Sequence, residues 1–76
     1  MIDFLTFLIG KIVDHPDDVA ISETTLGDHS FQYTIKAHAD DVGKIIGREG
    51  KIIHAIRNVA KILAVKENVQ IRIEIA

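Results

Sequence analysis

The sequence predicts an α+β domain: a two-layer sandwich in the order helix–strand–strand–helix–helix–strand, with a three-stranded mixed sheet and all three helices on one face. Two stretches, Ser30–His38 and Val69–Ile75, alternate apolar and polar residues with the period of a strand. Residues 2–14 and 51–66 instead repeat apolar residues at helical spacing. Between the first alternating stretch and the long helix, Gly47 and Gly50 split an apolar, helix-forming run. A glycine inside a helix costs roughly 1 kcal/mol against alanine, so this pair marks a required elbow between two helices.

Each element has its own signal. Ile2, Leu5, Leu8, Ile9 and Ile12 share one helical face, which Phe4 and Phe7 widen. The apolar run Phe4–Ile9 is interrupted by Thr6 and falls far short of the roughly 20 residues a membrane span needs. A secretory signal would open on basic residues, whereas this chain opens with Asp3. Asp14-His15-Pro16-Asp17-Asp18 ends the helix, because proline cannot continue it and biases His15 away from helical geometry. Val19–Thr25 reads as a strand, and Leu26-Gly27-Asp28-His29 as a hairpin connection. In the next strand Phe31, Tyr33, Ile35 and Ala37 fall on one face, and Gln32, Thr34, Lys36 and His38 on the other.

Asp40 or Asp41 is a suitable N-cap for a short helix running to Ile46. The long helix follows from about Lys51 to Lys66, with a core stripe of Ile52, Ile56, Val59 and Leu63 flanked by Ile53 and Ala60. Asn68 marks its end, and the last strand closes the chain. Two strands joined through two helices are parallel, since such a crossover is right-handed.

The chain of 76 residues has no cysteine, 47% apolar and 26% charged residues, and a net charge of −2. It reads as one domain, 1–76, with a modest core that a partner copy would reinforce. The absence of cysteine excludes disulfides and thiolate metal sites and fits a reducing cytoplasm. His15, His29, His38 and His54 are too scattered to form a metal site. No set of nucleophile, base and carboxylate converges, so the expectation is of no enzyme, no cofactor and no small-molecule substrate.

The net charge conceals a segregation. Residues 1–42 carry Lys11 and Lys36 against eight acidic side chains, giving −6. Residues 43–66 carry Lys44, Arg48, Lys51, Arg57, Lys61 and Lys66 against Glu49 alone, giving +5. A positive block centred on the glycine elbow is the footprint of a phosphate-binding face.

The elbow is not a nucleoside triphosphate loop. Gly50-Lys51 matches the end of a Walker A motif, but Ile45 stands where its first glycine belongs, and Ile52 replaces the magnesium-binding hydroxyl. Nor is it a dinucleotide fingerprint, because a helix and not a strand runs into the glycines. What remains is Ile46-Gly47-Arg48-Glu49-Gly50-Lys51-Ile52-Ile53 between two helices, in a strand–helix–helix–strand setting. This resembles the KH family of single-stranded RNA-binding domains, and the element order resembles its type II arrangement. Ile12-Val13-Asp14-His15-Pro16-Asp17-Asp18-Val19 and Asp41-Val42-Gly43-Lys44-Ile45-Ile46-Gly47 further resemble the small single-KH bacterial proteins of the KhpA kind, over essentially the whole chain.

The resemblance implies a GXXG loop that clamps the backbone of about four unpaired nucleotides. Gly47 and Gly50 would admit the sugar–phosphate chain, and the N–H groups of Glu49, Gly50 and Lys51 would bond phosphate oxygens. Lys44, Arg48 and Lys51 supply charge, with His54 beside the elbow. Val42, Ile45 and Ile53 are expected to line an apolar groove for bases, with Lys36 or His38 at its rim. His54, Arg57 and Lys61 share a polar face of the long helix, where RNA contact and simple solvation are evenly matched for Arg57 and Lys61. Glu49 beside the phosphate path and a very short Glu67-Asn68 loop both point to weak, sequence-tolerant binding. Ala55, Ile62 and Val65 lie outside the expected core stripe and form a candidate dimer surface. The resemblance implies single-stranded RNA as ligand, a post-transcriptional or RNA-chaperone role, and pairing with itself or with a larger KH-containing protein of the Jag/EloR kind. The competing reading is a protein-interaction module that uses the same fold for dimerisation.

Overall fold

In the computed structural model, which describes residues 1–76, the expected order of elements is present. Helix α1 spans Ile2–Gly10, strands β1 and β2 span Ala20–Gly27 and Ser30–Lys36, helices α2 and α3 span Ala39–Ile46 and Lys51–Lys66, and β3 spans Gln70–Ile75. The sheet order is β1-β2-β3, with β1–β2 antiparallel and β2–β3 parallel, as the two-helix crossover requires. Leu5 and Ile9 of α1, Ile45 of α2 and Ile53, Ile56 and Ala60 of α3 share one core with Tyr33, Ile35 and Ile73 of the sheet. Alternate residues of β2 and β3 thus face the helices, and the other face of the sheet is polar.

The strand ends shift by one or two residues from the sequence expectation, and four larger differences each have a local reason. Helix α1 stops at Gly10, short of residue 14, and the chain continues as a turn in which Ile12 and Val13 N–H groups reach Ile9 O. The hairpin connection narrows to Asp28 and His29, because Gly27 still pairs with Ser30 across an irregularity after Thr25. The cap of α2 is neither aspartate: His38 Nδ1 accepts the Asp40 N–H at 3.0 Å. Asp41 has been drawn into the core instead.

The fourth difference lies on α3. Its buried residues are Ile53, Ile56, Ala60 and Ala64, while Ile52 and Val59 are 37% and 43% exposed. More than half of this helix's circumference is apolar, so periodicity alone does not fix its rotation. The small side chains of Ala60 and Ala64 allow a close approach to β3, and the helix turns them inward. Its end is written more plainly in the sequence. Asn68 adopts φ 58°, Val69 N–H bonds Ala64 O and Asn68 N–H bonds Val65 O, the pattern of a Schellman cap. No helix is long and apolar enough to cross a membrane.

Candidate nucleic-acid interface

The elbow between α2 and α3 is a sharp, exposed corner. Gly47 (φ 76°, ψ 176°) ends α2, Arg48–Gly50 form a single 3-10 turn, and Gly50 (φ 74°, ψ 15°) opens α3. Gly47 lies in a region of backbone space reserved for glycine, and Gly50 in the left-handed region that favours it. Glu49 is also left-handed, at φ 57°, a conformation that costs a non-glycine residue about 1 kcal/mol. Arg48, Glu49 and Lys51 are exposed.

The turn consumes two of the N–H groups expected to face a phosphate. Gly50 N–H bonds Gly47 O, and Lys51 N–H bonds Arg48 O. Arg48 and Glu49 open the turn, so their N–H groups have no acceptor within it. Glu49 was among the expected donors; Arg48 takes the place of Gly50 and Lys51. With the first turn of a 16-residue helix behind them, these groups lie in a region of positive potential.

The basic residues around the elbow divide into engaged and free. Lys44 is engaged: its Nζ bonds the Asp14 carboxylate and sits 3.7 Å from Asp41 Oδ1. The Asp14 hydrogen bond is the main cause that raises the Lys44 pKa. Its charge is thus spent on the α1–β1 connection. Arg48, Lys51 and Lys61 make no ion pair. His54 is exposed one turn into α3.

Two apolar residues expected to line a base groove do not. Ile45 is 0% and Ile53 6% exposed. Both fill the core beneath the elbow, each contributing about 2–3 kcal/mol there by burial and offering almost no surface to a ligand. Ile46, 36% exposed, carries the apolar surface on the last turn of α2 instead. Lys36 and His38 also lie apart from the α3–β3 groove described next. Lys36 is exposed at the end of β2, and the His38 ring stacks on His15 with centroids 4.1 Å apart.

The groove itself runs between α3 and β3. A cavity of about 340 Å³ is lined by Arg57, Lys61, Ile71, Arg72, Ile73 and Glu74. A second, of about 320 Å³, shares Lys61 and Ile71 with it and continues along Ala64, Val65, Val69 and Gln70. At 1.5 Å rise per residue, Arg57 stands roughly 10 Å along the axis of α3 from Gly50. The sequence placed Arg57 and Lys61 on a common polar face; β3 as the opposite wall was the part not foreseen. The clean alternation of Val69–Ile75 at the chain's last strand, with a charged Arg72 and Glu74, was the available signal.

A polar cluster fixes the elbow's other helix. Asp41, fully buried, accepts hydrogen bonds from Asp14 N–H (3.2 Å) and His15 N–H (2.9 Å), with His15 Nδ1 3.0 Å away. Burial alone would raise its pKa, but these donors outweigh it and hold the carboxyl below the usual range. The cluster locks α2 to the α1–β1 connection and so orients the helix that ends at Gly47.

On the exposed side of α3, Ile52, Ala55, Val59 and Ile62 follow a 3-4-3 spacing, and Val65 lies nearby. Ile62 is 64% and Val65 77% exposed. All three residues expected at a dimer surface, Ala55, Ile62 and Val65, are exposed, and Ile52 and Val59 extend the stripe.

Comparison with known proteins adds to this geometry. The family model for the KhpA/KhpB KH domain matches residues 2–75. The RNA-binding protein KhpA of Clostridium acetobutylicum is 43% identical over 75 residues, 99% of each chain. That of Chlamydia caviae is 41% identical over 75 residues, 99% of this chain and 95% of the other. That of Listeria monocytogenes is 33% identical over 99% of this chain and 97% of its own. No solved structure gives a significant match. With the elbow, the crossover and the mixed sheet all in place, the chain belongs to the KhpA/KhpB KH-domain family.

Proposed function

We propose that this chain is a non-catalytic KH module, one domain over residues 1–76, that binds short unpaired RNA in the cytoplasm by clamping its backbone at Gly47–Gly50. The single observation that carries this reading is the elbow: an exposed corner whose Arg48 and Glu49 N–H groups have no acceptor within the turn, flanked by the unpaired cations Arg48 and Lys51. Phosphate oxygens meet those donors and charges, and bases pass into the α3–β3 groove. The names of the relatives, RNA-binding protein KhpA, support the same ligand. The role that follows is post-transcriptional control or RNA chaperoning.

The test is titration of labelled single-stranded RNA against the wild type and a variant carrying Arg48→Asp with Glu49→Asp. Reversing the loop charge should abolish binding while the thermal transition is retained. Wild-type affinity should also fall steeply with salt, because each phosphate contact releases counterions. Unchanged affinity in the double variant would transfer the weight to the second reading.

That second reading is a module for association, and the exposed Ile52–Ala55–Val59–Ile62 stripe favours it. The occupant is a second copy of this chain or a larger KH-containing protein of the Jag/EloR kind. The two readings are compatible, since Ile52, Ala55, Val59 and Ile62 line neither cavity of the α3–β3 groove.

A further inference from the structure

Arg57 is the one cation of the α3–β3 groove that is held in a fixed orientation. Its Nε and Nη2 donate to Ile73 O at 3.1 and 3.0 Å. Strand β3 is an edge strand, and its pairing with β2 decides where that carbonyl points. Gln70 N–H bonds His29 O and Ala76 N–H bonds Ile35 O, so the even-numbered residues of β3 turn their backbone groups toward β2. Ile73 therefore aims its carbonyl at the open edge, beneath the groove, and the guanidinium lies across it.

An arginine has five N–H donors in a rigid plane. Ile73 O takes one from Nε and one from Nη2. Nη1 bonds nothing in the protein, and Nη2 keeps one N–H. What is left is the end of the guanidinium, with two parallel N–H groups, anchored in a cavity large enough for a nucleobase. Two parallel donors match two adjacent acceptors. Cytosine offers N3 beside O2 and guanine N7 beside O6, whereas adenine and uracil alternate donor with acceptor along their edges.

We propose that the pinned Arg57 guanidinium makes the α3–β3 groove selective for one base with two adjacent acceptors, cytosine or guanine, over adenine and uracil. This rests on the reading of the chain as an RNA binder and deepens it, replacing sequence-tolerant clamping by clamping with one discriminating position.

The test compares short oligouridylates carrying a single central cytidine, guanosine, adenosine or uridine, titrated against the wild type, Arg57→Lys and Lys11→Gln, the last at a cation after α1 that lines neither cavity of the groove. Lysine retains the charge but has no fork. The wild type should bind the cytidine or guanosine oligomer about tenfold more tightly than the other two, the scale of one bidentate contact. Which of the two wins identifies the base. Arg57→Lys should bring all four affinities within about twofold of the wild-type value for uridine, and Lys11→Gln should leave the discrimination intact. Thermal melts confirm that each variant is folded. Equal wild-type affinities for all four oligomers would overturn the proposal while leaving RNA binding in place. So would a uniform loss across all four in Arg57→Lys. Absence of binding to any oligomer would overturn the RNA reading as well.

Discussion

Ile52 fills the space that a side chain on Gly47 would need: a Cβ built there lies 2.6 Å from Ile52 Cγ1 and 2.8 Å from its Cβ. The two glycines of the elbow thus answer to different constraints. Gly47 combines a glycine-only conformation with close contact to a branched residue in the first turn of α3. Gly50 has a positive φ but open space around it. Gly47→Ala should destabilise the protein by about 3 kcal/mol or more, and Gly50→Ala by about 1 kcal/mol, the cost of a left-handed alanine. Denaturant unfolding of the two variants measures both. Equal losses would mean that Ile52 yields easily and that only backbone conformation matters.

The same isoleucine begins the exposed stripe that continues through Ala55, Val59 and Ile62. A carboxylate at the 64%-exposed Ile62 loses little in the monomer but would be buried in any assembly formed through this face. If this face pairs two copies, Ile62→Asp should lower the sedimentation coefficient while shifting monomer stability by no more than about 0.5 kcal/mol. Unchanged sedimentation would count against association through this face.

Much of this was legible in the sequence because its signals were local. Period-two alternation gave β2 and β3, and Asn68 gave the end of α3. The glycine pair gave the corner. The rotation of α3 was not legible, because Ile52 and Ile53 are equally apolar and only the approach of Ala60 and Ala64 to β3 decides between them. Ile53 was therefore expected at the ligand and is found in the core, as is Ile45 of α2. Lys44 counted toward a positive surface until Asp14, thirty positions away in the chain, was found bonded to it. The pinning of Arg57 likewise depends on a carbonyl from a distant strand. Charge and periodicity report composition along one segment; partner choice across segments is a tertiary fact.

Asp41 ties residues 14 and 15 to α2, and its pKa is held below the ordinary 3.8. A carboxyl with a lowered native pKa adds stability that is fully present above pH 3.8 and disappears as pH falls through the native value. Asp41→Asn offers one acceptor where the carboxylate offers two, so it should melt several degrees lower at neutral pH. The gap should close below pH 3.8, once the wild-type carboxylate protonates. Melting curves of both proteins against pH test this. A gap that stays constant into acid would assign the loss to packing and not to charge.

Tyr33 reports on the opposite end of the pH scale and is the sole tyrosine, in a chain without tryptophan. It is 4% exposed, and its hydroxyl donates to Oε2 of Glu23, its direct cross-strand partner, at 2.8 Å. Burial, then the Glu23 hydrogen bond, then the charges of Glu23 and Glu67 push its pKa from 10.0 to about 12. All favour the neutral phenol, so the stability it contributes is complete below pH 10 and is lost as pH rises toward about 12. Tyrosinate absorbance in the near ultraviolet should titrate well above pH 10 in the native protein, with circular dichroism recorded in parallel. Glu23→Gln should lower that midpoint without restoring 10.0, because burial is the larger cause and the substitution leaves it in place. A native midpoint at 10.0, reached before any loss of dichroism, would mean that the ring is hydrated and that strand β1 opens away from β2. Coincident absorbance and dichroism changes between these limits would instead show unfolding driven by ionisation of this one phenol, the outcome that the linkage requires if the fold gives way first.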